Sequence, residues 1–145
     1  MVAAAEPQAW ASSHTLRVRY PETDRMGVVH HSHYLVWFEL GRTELMRDFG
    51  MPYGELEDAQ GVFFPVVEAG VRYHAPTHYD DRLTVRTRIS SLRGASVQFE
   101  YEITREGESE RLTSGFTKHA TVGRDGRPQR IPENLRSRLS PQREK

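Results

Sequence analysis

Ser32-His33-Tyr34-Leu35-Val36-Trp37-Phe38-Glu39-Leu40-Gly41-Arg42-Thr43-Glu44-Leu45-Met46-Arg47-Asp48-Phe49-Gly50 is the stretch whose reading decides the fold. Tyr34, Phe38, Gly41, Leu45 and Phe49 recur at helical spacing, and Leu35, Trp37, Leu40 and Met46 widen the apolar stripe. An arc that broad exceeds what an ordinary surface helix buries, so other elements must enclose this one. Ser32 stands where an N-cap belongs, and Gly50 followed by Met51-Pro52 is a stop signal.

Outward from that helix the period changes to two. Leu16, Val18 and Tyr20 alternate with Thr15, Arg17 and Arg19 before it. After it, Leu83, Val85, Thr87 and Ile89 alternate with Arg82, Thr84, Arg86 and Arg88, and Val97, Phe99, Tyr101 and Ile103 with Gln98, Glu100, Glu102 and Thr104. Each run reads as a strand with one buried face. Leu112, Phe116, Ala120 and Val122 trace a weaker alternation in which Lys118 falls on the apolar side. Gly94, Gly107 and the pair Asp125-Gly126 break these runs, and short breaks make antiparallel neighbours. A further strand lies within Val62–His74. Its opening, Val62-Phe63-Phe64-Pro65-Val66-Val67, is an unbroken apolar run that implies burial on both faces, while Pro65 belongs on an edge or at a bulge. A second copy of the chain covering that edge satisfies both signals. A short helix over Tyr53–Ala59 and a last turn over Pro132–Leu139 complete the elements. Strand, long helix, then four strands is an α+β order: an antiparallel five-stranded sheet wrapped around one long central helix.

Size and composition agree with one core. A chain of 145 residues is within single-domain range, so residues 1–145 are read as one domain with its core at about 14–123 and frayed ends. Twenty basic residues balance twenty acidic ones, which gives no general electrostatic reason for nucleic-acid binding. Without cysteine there is no disulfide, thiolate zinc site or thiol nucleophile, and a reducing compartment suits the chain. Residues 1–13 lack a basic n-region and an apolar h-region, and no stretch approaches the roughly 20 apolar residues that span a bilayer. A cytoplasmic protein without membrane association is expected.

The chemistry concentrates in Tyr20-Pro21-Glu22-Thr23-Asp24-Arg25-Met26-Gly27-Val28-Val29-His30-His31-Ser32-His33-Tyr34, the connection into the long helix. The first backbone N–H groups of a helix have no intrahelical partner and can polarise a carbonyl or hold an oxyanion. A carboxylate and an imidazole in the same loop can activate water or attack directly. These are the parts that ester or thioester hydrolysis requires.

Asp24-x-x-Gly27-Val28-Val29-x-His31-x-x-Tyr34, followed by Phe38-Glu39-x-x-Arg42, resembles the 4-hydroxybenzoyl-CoA thioesterase-like branch of hotdog-fold acyl-CoA thioesterases, most nearly the bacterial members found beside the Tol–Pal system. The resemblance covers about residues 14–123. It implies a cofactor-free, metal-free hydrolysis of acyl-CoA in which Asp24 is the catalytic carboxylate and position 31, here His31, supplies the N–H that polarises the thioester carbonyl. It places Tyr20 at the family's tyrosine, and Tyr20, Gly27, Val28 and Tyr34 among the substrate-binding residues. It further implies a homodimer joined edge to edge with sites at the subunit boundary, or a homotetramer built from two such dimers. The chain departs from the pattern at His30 and His33, where relatives often carry Tyr and Asn.

Plainer readings stand beside these. An Asp near Thr23 and Gly27 also suits an Asx-turn. The run His30-His31-x-His33 invites a metal, but adjacent histidines in an extended chain point to opposite sides, and helical i, i+4 pairing is absent. Glu39 and Glu44 are expected to pair with Arg42 and nearby residues rather than act in catalysis. Tyr34, Trp37 and Phe38 are mainly core, with Tyr34 a candidate for the acyl pocket. Arg86, Arg88, Arg93, Lys118 and Arg124 are cations available to CoA phosphates, although arginine on a polar sheet face is ordinary solvation. Two other functions fit the fold: a non-catalytic acyl-CoA-binding protein and an acyl-thioester dehydratase.

Overall fold

The computed structural model describes residues 9–139. β1 (Ser12–Arg17) leads through a 3-10 turn at Tyr20–Glu22 to α1 (His33–Asp48). A three-residue helical turn, α2 (Tyr53–Glu55), widens into a π-turn at Leu56–Gln60. β2 (Val66–Tyr73), β3 (Arg82–Leu92), β4 (Ser96–Arg105), β5 (Arg111–Ala120) and α3 (Glu133–Leu139) follow. All strand pairs are antiparallel in one sheet of order β1-β3-β4-β5-β2, so β1 and β2 are its edges.

The helix packs across the inner face of this sheet. Tyr34, Trp37, Phe38, Gly41, Leu45 and Met46 are buried against it. Phe38 stacks on Tyr101 with ring centroids 4.3 Å apart and planes 4° from parallel. Two glycines permit that approach: a Cβ on Gly41 would lie 2.5 Å from Thr87 Oγ1, and one on Gly115 would lie 2.5 Å from the Phe38 ring. The helix ends as its sequence reads. Gly50 adopts φ +76°, Met51 N–H donates to Met46 C=O and Gly50 N–H to Arg47 C=O, and Met51 is buried. This Schellman arrangement satisfies two carbonyls that would otherwise lack partners.

Four expectations need correction. Ser32 does not cap α1: it is itself helical at φ −67°, ψ −24°, and its hydroxyl is 2.8 Å from His30 Nδ1. The sheet covers only one side of the broad apolar arc, leaving Leu35, Val36 and Leu40 exposed. In β5 the inner face is Thr113, Gly115, Thr117 and His119, because Leu112 is an extra residue between the Ile103–Thr113 and Thr104–Arg111 pairs and shifts the phase. Lys118 therefore sits on the outer face beside Phe116, and its place there is ordinary. Finally, Val62–Val67 is not one continuous strand. Val62 is fully buried within the chain and Phe63 bridges to Val122, whereas Val66 and Val67 on the edge strand are 48% and 59% exposed. Pro65 does precede an edge strand, with an irregularity between Val66 and Glu68.

Gly115→Ala should force the Phe38 ring from its seat and cost about 1–3 kcal/mol, the usual range for overpacking a dense core. Urea unfolding of the two proteins measures it, and a variant within 0.5 kcal/mol of the parent, roughly the scatter of neutral surface changes, would show that the helix seat is not tight.

Candidate active site

Between β1 and α1 the chain folds into a small hairpin. Thr23 bridges antiparallel to Val29, Asp24 N–H donates to Val28 C=O at 2.8 Å, and Gly27 N–H donates to Asp24 C=O at 3.0 Å. Gly27 takes φ +79°, the left-handed residue that closes a three-residue hairpin loop and tolerates no Cβ cheaply. The Asp24 side chain belongs to the same turn: Oδ1 accepts Met26 N–H at 2.8 Å and Val28 N–H at 3.3 Å. Oδ2 accepts no hydrogen bond from the described residues, and Asp24 is exposed. One oxygen is thus held by the backbone and the other is free.

The hairpin is anchored at both ends. Glu22, only 3% exposed, accepts Arg19 N–H at 2.7 Å with one carboxylate oxygen and Trp37 Nε1–H at 3.0 Å with the other. Its carbonyl accepts His30 N–H at 3.0 Å. On the far side Val29 N–H donates to Thr77 C=O, and Val28 bridges to His78. Tyr34, buried in α1, places its hydroxyl 2.7 Å from Thr77 Oγ1.

At the entry to α1, His31 C=O accepts the Tyr73 hydroxyl at 3.0 Å, while His31 N–H has no partner among the described residues. The sequence-derived residues therefore divide into three groups. Asp24, Gly27 and Val28 share the hairpin, and His31 and Tyr34 stand where it joins α1. Tyr20 starts the preceding 3-10 turn, 75% exposed, with its ring edge-on to Tyr79 at 5.8 Å. No hydrogen bond or ion pair joins the Asp24 and His31 side chains.

Several side-chain expectations change. The His30 and His31 rings do not point apart: their centroids are 4.2 Å apart at a 35° tilt, because residues 31 and 32 form a turn rather than an extended chain. Among the described residues no three His, Asp or Glu side chains gather as a metal-binding group. Glu44 does pair with a nearby residue, Arg47. Of the cations considered for CoA, Arg86 and Arg88 pair with Glu102 and Glu100, Arg88 also lies over Trp10, and Arg124 donates to the carbonyls of Glu57 and Asp58. Glu22, Tyr73 and Thr77 escaped the sequence reading. A buried tryptophan's need for an indole acceptor was the one local signal that pointed to Glu22.

A second polar cluster lies beneath α1. His119, 1% exposed, puts Nδ1 2.9 Å from Phe64 C=O and Nε2 2.8 Å from Thr117 Oγ1, which is 2.5 Å from the Tyr101 hydroxyl. These contacts fit a neutral ring with the proton on Nδ1. Burial lowers the His119 pKa to about 4, the Phe64 carbonyl works against that shift, and the Arg42 charge adds to it. Arg42 also neighbours Tyr53 and Tyr101, whose phenols are raised by burial and partly drawn back by the guanidinium.

The comparisons with known proteins fit this architecture. The fold is the hotdog fold of thioesterases: the hypothetical protein TT1821 from Thermus thermophilus superposes with a TM-score of 0.83 at 43% identity, covering 89% of this chain and 97% of that one. The DHNA-CoA thioesterase from Staphylococcus aureus gives 0.83 at 29% identity, covering 89% and 88%. The sequence model of the thioesterase-like superfamily matches residues 18–139, and the chain belongs to that family. The acyl-CoA thioester hydrolase YbgC of Escherichia coli O157:H7 is 40% identical over 88 residues, which span 61% of this chain and 65%, just under two thirds, of that relative.

The buried His119 sets a pH dependence. Its folded-state pKa lies below the ordinary 6.5, so above 6.5 both states are neutral and stability is complete. Below 6.5 the unfolded chain takes a proton that the folded one refuses until about 4, and stability falls across that window by up to about 3 kcal/mol. Unfolding free energies of the protein and of His119→Gln should differ most in slope between pH 6.5 and 4. Parallel curves there would remove His119 as the source.

Proposed function

We propose that the protein is an acyl-CoA thioesterase, hydrolysing the thioester to a free acid and CoA without a cofactor, with Asp24 as the reacting carboxylate. The observation that carries this reading is that one loop holds both a turn-held carboxylate having one free oxygen and, at the entry to α1, a His31 N–H without a partner among the described residues. Membership of the thioesterase-like superfamily and the named activity of YbgC support it. The His31 N–H polarises the thioester oxygen, making the carbonyl carbon more electrophilic. Water attacks that carbon while Asp24 takes its proton, or Asp24 attacks first and water opens the resulting anhydride. In either route the C–S bond breaks and the sulfur leaves as the protonated CoA thiol. Tyr20, Gly27, Val28 and Tyr34 surround the reacting group.

Assembly belongs to the same reading. The edge strand β2 presents Val66 and Val67, and α1 presents Leu35, Val36 and Leu40, all substantially exposed. A second copy pairing at β2 covers an edge that would otherwise template aggregation and sets the site at a subunit boundary. The cysteine-free composition suits a cytoplasmic enzyme of this kind.

Thiol release from a panel of acyl-CoAs tests the function, and binding without release would instead mark an acyl-CoA sensor. Asp24→Asn keeps an oxygen for Met26 and Val28 N–H, so the hairpin should persist while turnover falls about 100- to 10,000-fold. His31→Ala keeps the backbone donor and should cost less. An Asp24→Asn enzyme retaining more than about a tenth of parental turnover would sink the assignment. Single-turnover hydrolysis in oxygen-18 water separates the two routes, since label entering Asp24 establishes the anhydride.

Val66→Lys should impair assembly by placing an unpaired charge in the contact. Sedimentation at micromolar concentration reads this, and a monomeric parent protein would count against the β2 interface.

A further inference from the structure

We propose that Tyr73 is a positioning residue for the carbonyl-polarising amide of His31, an inference that rests on the thioesterase reading above. Tyr73 is the last residue of the edge strand β2, paired with Thr113, and its side chain lies on the helix side of the sheet. The ring stands edge-on to Tyr34 at 5.1 Å and 81°. Its hydroxyl reaches across to donate to His31 C=O at 3.0 Å.

That bond matters because of what His31 lacks. Its N–H is unpartnered, and its carbonyl receives no other donor from the described residues. The residue precedes the first turn of α1, where the helical ladder has yet to begin. The neighbouring bonds from His30 N–H to Glu22 C=O and from His33 N–H to His30 C=O fix the chain on either side. The His31 N–H shares its peptide plane with His30 C=O, which accepts His33 N–H, and the Tyr73 hydroxyl holds the following plane through His31 C=O, so that the two bonds together fix both peptide planes that meet at the His31 Cα. Burial and the neighbouring Tyr34 both raise the Tyr73 phenol pKa, so the hydroxyl keeps its proton and remains a donor in neutral solution.

An amide that polarises a carbonyl acts through direction and distance, and a misplacement of about 1 Å can cost 100-fold in rate. The strand proposed to meet a second copy thus also carries the group that aims the site. Assembly at β2 and orientation of His31 become one structural unit.

Tyr73→Phe keeps the ring against Tyr34 and removes only the donor. Steady-state kinetics should show kcat lowered about tenfold or more with KM within about twofold, since the loss is of aim in the transition state rather than of substrate contact. The change should be flat from pH 6 to 9, and the sedimenting species unchanged. Ser114→Ala supplies the comparison: it removes the hydroxyl 2.9 Å from His74 Nε2, on the outer face of the same strand pair, and should leave kcat unaltered. A Tyr73→Phe enzyme with parental kcat, a change confined to KM, or an equal loss in Ser114→Ala would each overturn the positioning role. Release of thiol by the parent with Tyr73→Phe unaffected removes this inference alone, whereas a parent that releases no thiol removes the hydrolase reading and this inference with it.

Discussion

The seating of Phe38 is the constraint on which the rest of the molecule depends. Its ring lies flat on Tyr101 and over Gly115, where a side chain would collide with it. A buried phenylalanine contributes several kcal/mol, and truncations of such residues cost about 3–5 kcal/mol. The larger effect is geometric. With Phe38 fixed and Gly41 allowing close approach to Thr87, α1 has one position along the sheet. Trp37 and Tyr34, one residue and one turn earlier, are then placed where the candidate-site loop and the segment after β2 can reach them.

From that fixed helix the loop hangs by two polar contacts with different duties. Glu22 holds the incoming chain through the Trp37 indole, a charge-assisted bond in a buried setting where losing either partner leaves a polar group without compensation. Thr77 holds the outgoing chain, binding Tyr34 through its hydroxyl and Val29 through its carbonyl. The hairpin between these ties is closed by its own backbone bonds and the left-handed Gly27. A rigid scaffold therefore presents a short loop whose Asp24 carboxylate faces solvent, a common division of labour between element and loop.

What the sequence disclosed follows from the range of the forces involved. α1, β3 and β4 were legible because their burial follows a local period: every second residue of Val97–Ile103 faces α1, as the alternation says. β5 misled because the extra Leu112 inverts the phase and because the inner face beneath Phe38 must be small or polar, with Gly115, Thr117 and His119 replacing the large apolar residues the pattern seeks. Ser32 misled because His30, two residues away, claims its hydroxyl. In the candidate site, the Asx-turn of Asp24 beside Gly27 was legible because that turn is local. Glu22, Tyr34 and Tyr73 meet partners 15, 43 and 42 residues distant, contacts that no spacing rule encodes.

Asp24 shows why the structural and chemical readings of one residue need not compete. As an Asx-turn it commits Oδ1 to two backbone amides, which fixes the carboxylate plane relative to the hairpin. Oδ2 stays uncommitted, so it is held in place and remains accessible. A carboxylate fixed by long side chains would lose part of that advantage to their mobility. Here the orienting groups are the main-chain N–H groups of Met26 and Val28, in a turn closed by Gly27, and the turn and the carboxylate are one local structure.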